Sequence, residues 1–477
     1  MSETRPLTLS GAPEGFDALL IARELEKTAK PVVHVARDAR RLAAMEAALD
    51  FFAPGVPRIT LPGWDCLPFD RVSPNPDVSA ARMATLAALT HGMPTERFIL
   101  LTTVSAATQR MPAREVIAGA SFSARVGDRI DEGGLRAFLV RMGFSQAPTV
   151  TEPGDFAVRG GIIDIYPPGE AGPVRLDLFG DTLDGARRFD PASQRTTEKL
   201  KAVELAPVSE VILDEAAITR FRQNYRIEFG AGTADDPLYE AVSAGRKHQG
   251  LEHWLPFFHE RLETLFDYLP QASFFLDDQV TPSRLSRWEG ISDQYETRRE
   301  AMGAKNRMDS VYKPCPPGLL YLDDAAWSAA TAGLRLIQLA ALPQATGLGV
   351  LDGGGRIGRN FAPERQAEKT NLFEALADHA RARRKQGPVV VASYSEGARE
   401  RLKGLLEDED LTVTAEIADF RDIPDAAPGE TGGVYLAVWP LEHGFEGPAD
   451  GTHLTLVSEQ DVLGDRLIRA PKKRRKA

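Results

Sequence analysis

From Leu19 to Lys27 apolar residues recur at helical spacing, and Pro31-Val32-Val33-His34-Val35-Ala36 follows as a short buried strand. Leu42, Met45 and Leu49 mark a second helix. Phe98 to Thr103 is a continuous apolar strand of the kind that parallel sheets bury on both faces. Residues 1–118 therefore read as α/β. Near Gly119 the pattern changes to glycines, short strands and tight turns, and it stays so to about Pro207. One helix, Glu132–Met142, precedes a hairpin. The hairpin has a Gly160-Gly161 start, a strand Ile162–Tyr166, a turn at Pro167-Pro168-Gly169 and a strand Val174–Phe179. Helical and α/β patterns resume at Val208.

This organisation predicts an α/β domain in two segments, 1–118 and 208–342, with a small α+β unit inserted at 119–207. Glycine and proline dominate 343–363, which reads as a linker. A separate small α/β unit is expected at 364–469. Its helices are Asn371–Arg384 and Glu396–Leu406, and its strands Val389–Ala392, Thr412–Ile417, Val434–Val438 and Leu454–Val457. Residues 470–477 form a basic connector that carries Lys472, Lys473, Arg474, Arg475 and Lys476.

Composition narrows the function. The 477 residues are 43% hydrophobic and 26% charged, enough apolar material for several cores. A formal net charge of −11 argues against coating DNA as the main activity. Two isolated cysteines, Cys66 and Cys315, suit a reducing cytosol and rule out a clustered zinc site. No signal core and no bilayer-length apolar run is present, so a cytoplasmic, monomeric protein without a membrane partner is expected.

Motifs that promise chemistry are spoiled. A phosphate-binding loop needs glycines for close backbone approach, a lysine for the phosphates and a hydroxyl for magnesium. The matching place spans Gly11 to Gly15, but Phe16 stands where the lysine belongs and Asp17 where the hydroxyl belongs. Three apolar strands end in paired acids, at Asp214-Glu215, Asp277-Asp278 and Asp323-Asp324, with no lysine loop to serve. Gly353-Gly354-Gly355-Arg356-Ile357-Gly358 has the spelling of a dinucleotide site, yet Arg359-Asn360-Phe361-Ala362-Pro363 is a poor helix start. No catalytic residue, cofactor or metal is expected.

The strand Val174–Phe179 alternates with period two and puts Arg175, Asp177 and Phe179 on what should be its wet face. Arginine and aromatic side chains are enriched at protein interfaces, and Arg159 adds a second cation. The plainer reading is an Arg175–Asp177 surface pair with Phe179 tucked under a loop.

Longer blocks carry a family resemblance. Phe156 to Pro167, Val174 to Asp181 and Phe189 to Thr196 resemble the UvrA-binding domain shared by UvrB and the bacterial transcription-repair coupling factors (the Mfd family). Leu61-Pro62-Gly63-Trp64-Asp65-Cys66-Leu67-Pro68-Phe69-Asp70, Gly250 to Phe258 and Ser458 to Arg466 point to the coupling factors. The resemblance covers essentially the whole chain. It implies a degenerate helicase-like (P-loop NTPase-like) parallel-sheet domain interrupted by a UvrA-binding domain. UvrB-like proteins keep a working ATP loop, which Gly15-Phe16-Asp17 breaks, and Asp277-Asp278-Gln279-Val280 replaces their Asp-Glu-x-His. The tyrosine-rich hairpin with which UvrB clamps DNA has no counterpart between Trp64 and Arg82. By this resemblance Arg159, Arg175, Asp177 and Phe179 meet UvrA. RNA polymerase and double-stranded DNA would be met by domains beyond this chain, where the family keeps its ATP-driven translocase. The rival expectations are a divergent UvrB-like ATP-dependent DNA helicase, or a scaffold that restrains the motor and buries Phe179.

Overall fold

The computed structural model describes residues 7–93, 95–230, 236–303, 312–345, 347–367, 370–424 and 431–464. The basic connector lies outside the described residues.

Seven strands form the first sheet. Their order is Val350–Asp352, Leu7–Ser10, Arg335–Ala340, Ser273–Leu276, Val32–Ala36, Ile99–Thr103 and Arg58–Leu61, and every neighbouring pair is parallel. Val32–Ala36 and Ile99–Thr103 are buried throughout, as their unbroken apolar runs require of strands covered on both faces. Helices Phe16–Thr28 and Ala39–Phe52 pack on one face through Ile21, Leu25, Met45 and Leu49. Asp38 caps the second of these by accepting a hydrogen bond from the Arg41 N–H at 2.8 Å.

Between Ile99–Thr103 and Ser273–Leu276 the chain builds a second sheet of six strands. Their order is Thr196–Leu200, Thr182–Phe189, Val174–Phe179, Ile162–Ile165, Asp155–Arg159 and Ser145–Gln146. All pairs are antiparallel except the last. Phe122–Arg125 pairs antiparallel with Ala202–Leu205, which brings the two ends of this segment together. Phe156, Ile163, Val174, Leu176 and Leu183 bury one face against Leu135 and Leu139 of helix Glu132–Arg141. The other face is the wetter one, covered in part by a small cluster of Val150, Ala157 and Phe189.

The third sheet runs Arg356–Ile357, Phe445–Ala449, Thr452–Ser458, Val389–Ser393, Val434–Val438 and Ala415–Ile417. The stretch expected as a linker is thus structured at two places. Val350–Asp352 adds an edge strand to the first sheet, and Arg356–Ile357 adds one to the third. Alternation is too short in these two- and three-residue strands to register against their glycines.

The third sheet does not stand apart. Phe16, Phe51 and Phe52 from the first unit form one apolar core with Trp439, Leu441 and Phe445. Phe51 stacks on Trp439 with ring centroids 4.9 Å apart. Among the described residues no helix is long and apolar enough to cross a membrane, and no cluster of metal-ligating side chains occurs.

Candidate protein-binding site

Two places inherit the chemistry suggested by the sequence: the carboxyl end of Leu7–Ser10, and the wet face of the second sheet.

At the first, Gly11 and Gly15 both adopt positive φ, 62° and 91°. The loop they shape holds no free space. Phe16 is 0% exposed, and its ring lies 5.6 Å from that of Phe445. Two glycine backbones close on it, for a Cβ on Gly355 would stand 2.4 Å from the Phe16 ring and one on Gly447 2.7 Å. The glycine string that spells a dinucleotide site is therefore packing surface for Phe16. It is tied down by hydrogen bonds from Gly353 N to Ser10 O at 2.7 Å and from Gly355 N to Gly11 O at 2.8 Å.

Asp17, Asp277 and Asp278 do come together, around arginines. The buried Arg41 guanidinium pairs with Asp17 and, through Nε, with Asp277 Oδ2 at 2.9 Å. Arg37 reaches Asp277 at 3.0 Å, Glu14 at 2.7 Å and Asp278 at 3.7 Å. Two guanidinium groups thus hold the acids that the sequence offered as candidate magnesium ligands. Burial pushes the Asp17 carboxyl up to about 6, against the pull of Arg41. His34, buried below the same arginines, is held neutral by desolvation.

On the second sheet, strand register sets out the face row by row. One row crosses Ala157, Asp164, Arg175, Arg187 and Lys199, and the next crosses Arg159, Ile162, Asp177 and Gly185. Arg175 does not pair with Asp177. It grips Asp164 with two hydrogen bonds, Nε to Oδ1 at 2.7 Å and Nη2 to Oδ2 at 2.8 Å. Its guanidinium also stacks over Phe189, 4.6 Å from the ring centroid. Arg187 takes Asp177 instead. The hydrogen bonds to Asp164, and then its charge, raise the Arg175 pKa. Arg159 donates to Pro148 O at 2.6 Å and remains exposed.

Phe179 is not tucked under a loop. It is 83% exposed at the end of its strand, just past a register shift between Asp177 and Leu178. Ile162, paired across from Asp177, is also exposed. An aromatic ring so fully exposed on a charged sheet face, with Ile162 partly exposed on the same face, offers apolar surface to a partner.

Comparison with known proteins bears on the region that holds this face. Residues 122–211 match the family described as the UvrB interaction domain. The transcription-repair-coupling factor of Escherichia coli K12 is 30% identical over 456 residues, 95% of this chain and 37% of that protein. The one from Myxococcus xanthus is 30% identical over 494 residues, 98% of this chain and 39% of that protein. The chain is similar to the amino-terminal region of transcription-repair-coupling factors. It spans under two fifths of the length of these relatives.

For a relative of the transcription-repair-coupling factors, sequence reasoning overlooked the residues that support the face. Asp164, Phe189, Ile162 and Arg187 all belong to it. Asp164 was legible in one respect: an aspartate inside the apolar run Ile162-Ile163-Asp164-Ile165 needs a cation opposite it.

Proposed function

We propose that this chain is the UvrA-recruiting part of a transcription-repair-coupling factor, acting in the cytoplasm in transcription-coupled nucleotide excision repair. Contact with UvrA is made by the wet face of the second sheet through Phe179, Arg159, Asp177 and Arg175. The observation that carries this reading is the exposure of Phe179 within the region that matches the UvrB interaction domain. A scaffold that used this sheet only as core would bury that ring.

In the same reading the chain neither binds nor hydrolyses ATP. Phe16 fills the place of the lysine, and Arg37 and Arg41 neutralise the acids that would hold magnesium. A divergent helicase would need that space open. Translocation along DNA and contact with RNA polymerase fall to the larger part of the relatives that this chain does not match.

A competition assay tests the reading. With labelled UvrB bound to UvrA, added chain is expected to displace the label, because both present the same domain to the same surface. Failure to displace at saturating concentration, by a folded chain, overturns it.

A further inference from the structure

Ligands of open parallel sheets gather in the crevice beyond the carboxyl ends of the strands. Here that crevice has two parts. Over Leu7–Ser10 it is filled by Phe16 and by the ion pairs of Arg37 and Arg41. Past the ends of Val32–Ala36, Arg58–Leu61 and Ile99–Thr103 it is open, a cleft of about 1050 Å³ walled by helix Val280–Gly303. That volume suits an organic molecule of nucleotide size.

One side chain in this cleft differs from the buried arginines elsewhere among the described residues. Three buried arginines, Arg41, Arg82 and Arg284, meet carboxylates of Asp277, Glu210 and Asp324 at 2.9, 2.9 and 2.6 Å. Arg287 also lines the cleft, and its Nε is closed to solvent without a hydrogen-bond partner. Its neighbour is the ring of Tyr321, 5.7 Å from the guanidinium carbon. Desolvation lowers its pKa, with no carboxylate beside it to oppose the effect. Arg287 is half-buried, and the edge of its guanidinium that faces away from water has no anion; a bound anion would offset that desolvation.

The remaining lining tells which anion. Ser105, Ser283, Gln279 and Gln294 surround the opening with neutral donors, which suits a group with several acceptor oxygens. Leu42, Val104 and Ile291 supply apolar wall for an organic body. The two acids at the rim are already engaged, Asp38 with Arg41 N at 2.8 Å and Asp65 with Asn75 N at 2.9 Å.

We propose that this cleft binds the phosphate group of an organic phosphate ester, with Arg287 as the cation that receives it. The site borders the would-be nucleotide loop at Arg37, whose guanidinium is already paired with Glu14 and Asp277; it lies apart from the second sheet and stands or falls independently of UvrA binding.

Titration calorimetry of the whole chain at low salt tests it with three probes: pyrophosphate, adenosine monophosphate and a short single-stranded oligonucleotide. Binding is expected, weakened about tenfold or more by Arg287→Gln. Arg299→Gln, an exposed change on the same helix, is expected to leave it intact. Tightest binding of the monophosphate identifies a free ester; tightest binding of the oligonucleotide identifies the phosphates of a strand. A Cβ on Gly290, which lines the cleft, would meet nothing within 4 Å, so Gly290→Trp can obstruct the site without disturbing the core. No binding of any probe by the wild type overturns the proposal, and so does undiminished binding by folded Arg287→Gln. Should Arg287→Gln fail to fold, undiminished binding by Gly290→Trp overturns it.

Discussion

The ring of Phe16 lies 5.6 Å from the ring of Phe445, and this contact turns the lysine position of a phosphate loop into a joint between the first and third sheets. Removing the ring should leave a cavity at the centre of that joint. Phe16→Ala is expected to destabilise the chain by roughly 3–5 kcal/mol, the usual range for a fully buried phenylalanine. Urea denaturation followed by tryptophan fluorescence checks this, since Trp439 sits in the same cluster. A change within experimental error would mean that the two sheets are not mechanically joined there.

Restoring the loop's letters should not restore its chemistry. In Phe16→Lys with Asp17→Thr, Arg37 still grips Asp277 and Asp278, so the acids remain neutralised. No ATP binding is expected in a fluorescent-nucleotide titration. Saturable, magnesium-dependent binding would show that the arginines yield to a ligand.

Asp17 gives stability a pH dependence of defined sign. Its folded pKa, about 6, lies above the ordinary 3.8 because burial penalises the charge. Between those values the folded chain holds more protons than the unfolded one, so this group's contribution to stability falls as pH rises. The difference amounts to about 2–3 kcal/mol from pH 4 to pH 7. Asp17→Asn, which resembles the protonated form, should therefore gain on the wild type by that amount across the same window. Paired denaturation curves at pH 4 and pH 7 measure it, and a gap that stays constant or narrows refutes the assignment.

Arg175 is built into the face as much as offered by it. Arg175→Ala leaves Asp164, 2% exposed, as a buried carboxylate without its cation, at a cost of about 2–4 kcal/mol. Asp164→Asn should recover part of that loss in the double variant, because a neutral amide is cheaper to bury alone. Additive losses in thermal denaturation would contradict the pairing. Loss of partner binding in Arg175→Ala alone is accordingly poor evidence for direct contact.

The sequence was most legible where local pattern decides the structure. The apolar runs at Val32–Ala36 and Ile99–Thr103 read directly as parallel strands, and the alternation of Val174–Phe179 set the bounds that the structure has. Thr412–Ile417 was read too long, since pairing covers only Ala415–Ile417. There Thr414 N–H still donates to Val434 O at 2.7 Å, but the Val434 N–H goes to the Thr414 hydroxyl at 3.0 Å. What the sequence hid was contact over distance. Arg41 and Asp277 are 236 residues apart, and nothing near either announces the other. Phe16 read as a broken motif, while its reason for being aromatic stands at Gly355, Phe445 and Gly447. The Asp164 partner of Arg175 lies on the neighbouring strand, visible only once the register is known.

Phe179 offers the most direct test, because an exposed ring can be removed without touching the fold. Phe179→Ala should change stability by no more than about 0.5 kcal/mol. Calorimetric titration of wild type and Phe179→Ala with purified UvrA, beside their melting curves, is the decisive measurement. The expected result is binding by the wild type, weakened roughly 30-fold or more in the variant at unchanged melting temperature. Equal affinity of the two chains would contradict the claim that this face is the UvrA-binding site.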